Sequence, residues 1–246
     1  MNQSNELLKG KRTIITGGTT GVGRATAILL ATKGCKVFIC GRNEDHLEDA
    51  MREVRDRRGH IHGVSCDLAT PNGIDRLFLA ADEWLGGLDF AVLNAGLGAH
   101  GELAEMSHDE CREVVAVNLT SYISCSLEAI KRMSKHGGHV VMTGSMSAHV
   151  FDENAAVYVA TKCGVRGFAS CLRKEANPLG VKISLIEPGS IGTDMVDESP
   201  EEQARMNREM LMLKAEDVAE CIAFMLTRPK WCDVIQLQVR PHLQLI

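Results

Sequence analysis

The 246 residues include 45% hydrophobic and 24% charged side chains, the balance of an ordinary globular chain, with a net charge of −5 and a pI near 6.0. That acidity offers no electrostatic footprint for nucleic acid or an anionic membrane, and no apolar run approaches the length of a bilayer span. The cysteines at 35, 40, 66, 111, 125, 163, 171, 221 and 232 contain no Cys-x-x-Cys and no metal-type pairing, so reduced thiols in a cytoplasmic enzyme are the simpler reading; residues 1–11 lack an apolar signal core.

Residues 12–16, Arg-Thr-Ile-Ile-Thr, predict a short buried strand that runs into Gly17-Gly18-Thr19-Thr20-Gly21-Val22-Gly23, and residues 24–33 have helical composition. Glycines at a strand-to-helix turn allow a tight reversal and leave no Cβ in the path of a phosphate approaching the helix N-terminus. In isolation such a turn is often only a loop; the strand and helix around it favour a nucleotide site. Residues 36–40 predict the second strand, followed by Gly41-Arg42-Asn43. At this position a βαβ nucleotide fold meets the adenosine ribose, where an acid suits a 2′-hydroxyl and an arginine a 2′-phosphate. Arg42 therefore points to NADP(H), with NAD(H) the second cofactor; the plain alternative is a solvated loop arginine.

Residues 43–58 form a charged helix with a solvated face. Residues 60–64 predict a third strand. Its His60 and His62 share one face, but no third ligand lies nearby, so no metal is expected. Asp67 falls where a carboxylate meets an adenine amino group, with Leu68 beside it in the expected cofactor set. A helix over 71–85 is opened by proline and closed at Gly86-Gly87.

The fourth strand, 88–93, ends in Asn94-Ala95-Gly96-Leu97-Gly98, small residues that let a flat ligand pack closely. Residues 107–135 predict one long helix, capped by Ser107 with Glu110. Within it Asn118 follows an apolar run and is either a satisfied core amide or part of a proton path. The fifth strand, 138–143, delivers Ser145 at its carboxyl end, with Ser147 as a near decoy. Ligands bind at that edge of a doubly wound sheet.

A helix over 156–175 places Tyr158 and Lys162 one turn apart on one face. A phenol has an ordinary pKa of about 10, and a fixed cation beside it favours phenolate, so the pair is a candidate proton-transfer site with Ser145 polarising a carbonyl. A surface pair on an amphipathic helix is the plain alternative. The sixth strand, 181–186, leads into residues 187–193. Residues 194–213, with Met195, Met206, Met210 and Met212, read as a lid or as a packed helix. A helix over 214–226 and a strand over 233–239 complete one domain, residues 1–246, built on a parallel sheet covered on both faces.

Thr16-Gly17-x-x-x-Gly21-x-Gly23, Asp67, Asn94-Ala95-Gly96, Asn118, Ser145, Tyr158-x-x-x-Lys162 and Pro188-Gly189 through Thr193 occur in the order and spacing of the classical short-chain dehydrogenases/reductases, which the chain resembles from about residue 8 onward. The resemblance implies a bacterial-type oxidoreductase with a seven-stranded Rossmann sheet and a nicotinamide cofactor. It also implies a catalytic set of Asn118, Ser145, Tyr158 and Lys162: Tyr158 exchanges the substrate proton, Lys162 lowers its pKa and bonds the nicotinamide ribose, Ser145 holds the substrate oxygen, and Asn118 holds a water that connects Lys162 to solvent. The implied cofactor contacts are Gly17, Thr19, Thr20, Gly21, Val22, Gly23, Arg42, Asp67, Leu68, Asn94, Ala95, Gly96, Tyr158, Lys162, Pro188, Gly189, Ile191 and Thr193. Two departures stand out: Thr20 occupies a position that is often basic in NADP-preferring members, and Leu93 replaces the first asparagine of Asn-Asn-Ala-Gly. A small carbonyl or alcohol substrate is implied, in a pocket between residues 146–157 and 191–213 with His149, Phe151, Asn154 and the methionines as candidates. A homotetramer or homodimer joined through the long helices is also implied. The competing reading from another class is a non-catalytic nucleotide-binding regulatory protein, which has no need of the catalytic set.

Overall fold

The hydrophobic runs at 12–16, 36–40 and 138–143 have no polar alternation and are covered on both sides, whereas the edge strands at 60–65 and 236–239 alternate and expose His60, His62, Gln236 and Gln238. In the computed structural model, which describes residues 3–193 and 198–245, Ile14, Phe38 and Cys40 point into one apolar layer while Ile15, Val37 and Ile39 point into the other. The elements alternate: α1 (Gln3–Leu8), β1 (Arg12–Thr16), α2 (Gly21–Thr32), β2 (Lys36–Gly41), α3 (Glu44–Asp56), β3 (His60–Ser65), α4 (Pro71–Leu85) and β4 (Phe90–Leu93). They continue with α5 (His108–Val115), α6 (Ser121–Met133), β5 (Gly138–Thr143), α7 (Ser147–Val150), α8 (Ala156–Ala176), β6 (Val181–Pro188), α9 (Pro200–Arg208), α10 (Ala215–Leu226) and β7 (Gln236–Val239). Helices α4, α6 and α8 cover one face of the sheet, and α2, α3 and α10 the other. No helix among the described residues is long and apolar enough to cross a membrane.

All seven strands are parallel, in the order β3-β2-β1-β4-β5-β6-β7. The chain winds outward from β1 to β3, crosses back to β4 and winds outward again, so β1 and β4 flank the switch point where such sheets leave a crevice. Their register, Thr16 opposite Leu93, brings the residues after both strands side by side. The Thr16 hydroxyl accepts hydrogen bonds from the Asn94 and Ala95 amides at 2.9 and 3.1 Å, tying the glycine turn to the β4 loop.

The helix expected over 107–135 is interrupted. Between α5 and α6, Ala116–Thr120 forms a π-helical turn. Its extra residue rotates Asn118 inward to full burial, a device common at functional sites. The His62 ring packs against Phe38 and Trp84, 5.8 Å from each.

His139 on β5 is buried, with Nε2 2.7 Å from the Ser184 hydroxyl on β6. Burial, reinforced by Lys182, pulls its pKa down to about 3. The folded state thus binds its proton later than the unfolded chain, whose histidine titrates near 6.5; His139 leaves stability untouched above that pH and erodes it as the pH falls towards 3, by up to about 1.4 kcal/mol per pH unit. Urea unfolding of His139→Gln should show a flatter loss of stability between pH 7 and pH 5 than the parent protein; equal slopes would contradict this assignment.

Candidate active site

At the first turn, Gly17 and Gly21 have φ of +63° and +50°, a region that L side chains rarely enter. Gly23 serves another need: a Cβ there would lie 2.0 Å from the Gly17 carbonyl oxygen. Helix α2 begins at Gly21 with Thr20 as its N-cap. The Thr20 side chain makes no capping bond and the first turn holds no acid, whereas α3, α4, α5 and α9 are each capped by a side chain. The first amides of α2 therefore face the crevice as donors suited to an anion.

Beyond this turn the cleft divides. One branch is lined by Thr19, Arg42, Cys66, Asp67 and Leu68, with Gly96 and Val117 opposite. Arg42 stands at its rim, but its guanidinium is bonded to Glu113 of α5 at 2.7 Å, both side chains about half exposed. Asp67 accepts the Ala69 amide at 3.0 Å, which holds the β3–α4 loop.

The other branch, with a cavity volume of about 130 Å³, runs from Gly17, Thr20, Gly21 and Val22 past Asn94, Ala95 and Gly96 to Ser145, Tyr158 and Lys162. Pro188, Gly189, Ile191 and Thr193 form the facing wall. The Cβ that Gly21 lacks would meet the Thr193 methyl at 3.1 Å, so this glycine lets the two walls approach. Ser145 and Tyr158 line the cleft together, and the Ser145 oxygen accepts the Ser147 amide at 3.1 Å; Ser147 thus orients Ser145 through its backbone. Lys162 is buried. It donates to the Thr143 carbonyl at 3.0 Å, and its ammonium lies 5.6 Å from the Tyr158 ring centroid and 5.5 Å from that of Tyr122.

The electrostatics differ from the sequence-based expectation. Burial pushes the Tyr158 phenol above its ordinary value, the Ser145 hydroxyl opposes this, and the Asp152 carboxylate adds to it. Burial also lowers the Lys162 ammonium to about 8. With the protein's own groups alone, desolvation outweighs the cation one turn away.

Asn118 pairs reciprocally with one residue: Oδ1 accepts the Leu97 N–H at 2.7 Å and Nδ2 donates one hydrogen to the Leu97 carbonyl at 2.8 Å. The pair fixes the 94–98 loop beside Lys162 and leaves the second Nδ2 hydrogen uncommitted among the described residues.

Residues expected around a substrate are partly replaced by others. His149 turns away from the cleft to Glu187, with Nε2 2.8 Å from Oε2, and to Arg166. Phe151 is exposed and Asn154 lies in the outer loop, both at positive φ; Met212 is buried, Met210 is exposed, and Met195 lies outside the described residues. The wall beyond Tyr158 is instead built by His100, Met146, Val150, Asp152, Ile191 and Gln244. The His100 and Tyr158 ring centroids are 6.1 Å apart. Gln244 arrives from the C-terminal tail: its Oε1 accepts the Ser190 amide at 3.0 Å, while the neighbouring Leu243 amide bonds the Met210 carbonyl at 3.0 Å. None of His100, Asp152, Glu113 or Gln244 carries a local motif that would have marked it.

The donors and shape fit a dinucleotide: uncapped amides at a helix N-terminus, a rim arginine, and a long cleft ending at a phenol and a buried ammonium. A family model described as short chain dehydrogenase matches residues 11–204. Carbonyl reductase family member 4 of Xenopus laevis is 31% identical over 220 residues, spanning 87% of this chain and 90% of that protein. An uncharacterized oxidoreductase of Staphylococcus aureus is 28% identical over 236 residues, spanning 96% and 99%. Among solved structures, a short chain dehydrogenase from Burkholderia cenocepacia in complex with NADP superposes with a TM-score of 0.85 at 28% identity, covering 95% of this chain and 98% of that one. An actinorhodin polyketide ketoreductase variant with NADPH gives 0.86 at 27% identity, covering 96% and 98%.

Proposed function

The chain belongs to the short-chain dehydrogenase family, a family of oxidoreductases, and from that premise we propose that it is an NADP(H)-dependent enzyme interconverting a carbonyl group and a secondary alcohol. The observation that carries this reading is the meeting of Ser145 and Tyr158 at the wall of one cleft, with the Lys162 ammonium 5.6 Å from the phenol ring centroid. NADP(H), when bound, supplies or accepts the hydride, two electrons and one hydrogen, at the carbonyl carbon.

The side chains do the rest. Ser145 holds the carbonyl oxygen, and Tyr158 delivers its hydroxyl proton to that oxygen as the alkoxide develops. Lys162 stabilises the phenolate left behind. A phenol held high by burial stays protonated near neutral pH, which suits the reducing direction; alcohol oxidation needs the phenolate and therefore favours alkaline conditions. Asn118, by fixing the 94–98 loop, keeps the floor beside Lys162 in place. Gly17 to Gly23 would hold the pyrophosphate, Asp67 and Leu68 the adenine, and Arg42 a 2′-phosphate. Pro188, Gly189, Ile191 and Thr193 would cover the nicotinamide. Exposed Val115, Ile123 and Leu127 on α5 and α6 support the dimer or tetramer as part of the same proposal, a second copy covering this face.

Arg42 tests the cofactor assignment. Its partner Glu113 competes with a phosphate for the guanidinium and would itself repel one, so the pair has to open for NADPH. Arg42→Ala should raise the KM for NADPH by about tenfold or more with little change for NADH, since a charge-assisted contact is worth about 1.5–3 kcal/mol. Equal effects on the two cofactors in steady-state assays would assign NAD(H) instead.

A further inference from the structure

The cleft beyond Tyr158 has one sign of charge. Among its described lining residues Asp152 carries the only formal charge, with no lysine, arginine or second carboxylate; His100 and Tyr158 are the other titratable groups, and Met146, Val150 and Ile191 provide apolar surface. Lys162 does not neutralise this branch: its ammonium lies behind the phenol, bonded to the Thr143 carbonyl. Asp152 and Tyr158 line the same branch, so the field of this exposed, partly screened carboxylate falls across the reacting position.

We infer that the substrate is a carbonyl compound without a carboxylate or phosphate beside the reacting carbon, and that Asp152 determines this specificity by repelling such anions. The inference rests on the oxidoreductase reading above. A substrate carboxylate held next to the reacting carbonyl sits close to the point where Asp152 already acts, inside a partly solvated cleft. Because Asp152 is exposed, a like charge brought into the same cleft meets a water-screened repulsion that disfavours binding by about threefold to tenfold. An uncharged ester of the same skeleton escapes this penalty and keeps its contacts with the apolar wall and with Gln244.

Matched pairs of oxo acids and their methyl esters provide the test, benzoylformate and methyl benzoylformate first among them. Each reduction consumes one NADPH and one proton and yields the corresponding alcohol, so both can be followed by loss of NADPH absorbance. The wild-type enzyme should prefer each ester over its acid by about threefold or more in kcat/KM, Asp152→Asn should erase most of that preference, and Asp152→Glu should retain it. Removing the carboxylate also lowers the phenol pKa, so the alkaline limb of ester reduction in Asp152→Asn should move to lower pH, a change that mere loosening of the loop would not produce. Equal use of acid and ester by the wild type, or an unchanged preference in Asp152→Asn, would overturn the inference while leaving the oxidoreductase reading intact. Failure of every ester and every acid to consume NADPH would instead remove that reading and this inference with it.

Discussion

Replacing Tyr158 by phenylalanine is expected to lower kcat/KM for carbonyl reduction by about 10³-fold, within the range for loss of a general acid, while cofactor affinity stays nearly unchanged. The substitution removes one oxygen and keeps the ring. It therefore preserves the packing against His100 and the van der Waals wall of the cleft. What disappears is the proton donor, while the Ser145 oxygen still accepts the Ser147 amide and so holds its rotamer. Lys162 keeps its bond to the Thr143 carbonyl, so no buried ammonium is stranded. The comparison requires two measurements on one preparation: NADPH affinity by fluorescence titration and turnover by absorbance. A variant with ordinary turnover would remove Tyr158 from the chemistry, and one with lost NADPH binding would show that the phenol is structural.

The second large effect is expected at Gly23. A methyl group there would overlap the Gly17 carbonyl oxygen at 2.0 Å and crowd the Asn94 amide nitrogen at 2.8 Å. Two of the three groups that meet here belong to the phosphate turn, and the third fastens that turn to β4. No flexible side chain can yield, so the backbone must shift. Gly23→Ala should cost about 1–3 kcal/mol of stability, several degrees of Tm for a chain of this size, and reduce NADPH affinity by about tenfold or more. Gly167→Ala is the matching control: a Cβ there meets nothing within 4 Å on helix α8, and alanine should be neutral or stabilising by up to about 1 kcal/mol. Differential scanning calorimetry of the two variants, with and without NADPH, separates the outcomes. Similar behaviour of the two would mean that the turn is more plastic than its geometry implies.

Much of this arrangement can be read directly from the residues. The apolar runs at 12–16, 36–40 and 138–143 are legible as strands because both faces of a parallel sheet are buried, and the carboxyl ends of strands are where this topology gathers its polar groups. Gly17 to Gly23, Asn94, Ser145, Tyr158 and Lys162 accordingly meet at one cleft. The π-helical turn at Ala116–Thr120 was not legible, since one extra residue leaves the surrounding apolar pattern intact. Nor was the Arg42–Glu113 pair, whose partners are 71 residues apart. His149 was misplaced because α7 is a single turn and carries the ring toward Glu187 at the end of β6, while the loop that follows brings Asp152 to the cleft instead. The phenol was expected low from sequence spacing, which reports the nearby cation but not the burial that opposes it.

The tail that carries Gln244 reinforces a junction the fold already makes, where the Leu213 amide donates to the Ser190 carbonyl at 2.9 Å and the Gly192 amide to the Leu213 carbonyl at 3.0 Å. Gln244 holds Ser190 at the cleft wall, and Leu243 holds Met210 beyond the end of α9. Whatever steadies one of these segments steadies its neighbour through the same few hydrogen bonds. The cleft wall that Ser190 lines is thereby braced by residues, Leu213 and Leu243 among them, that take no part in lining the cleft.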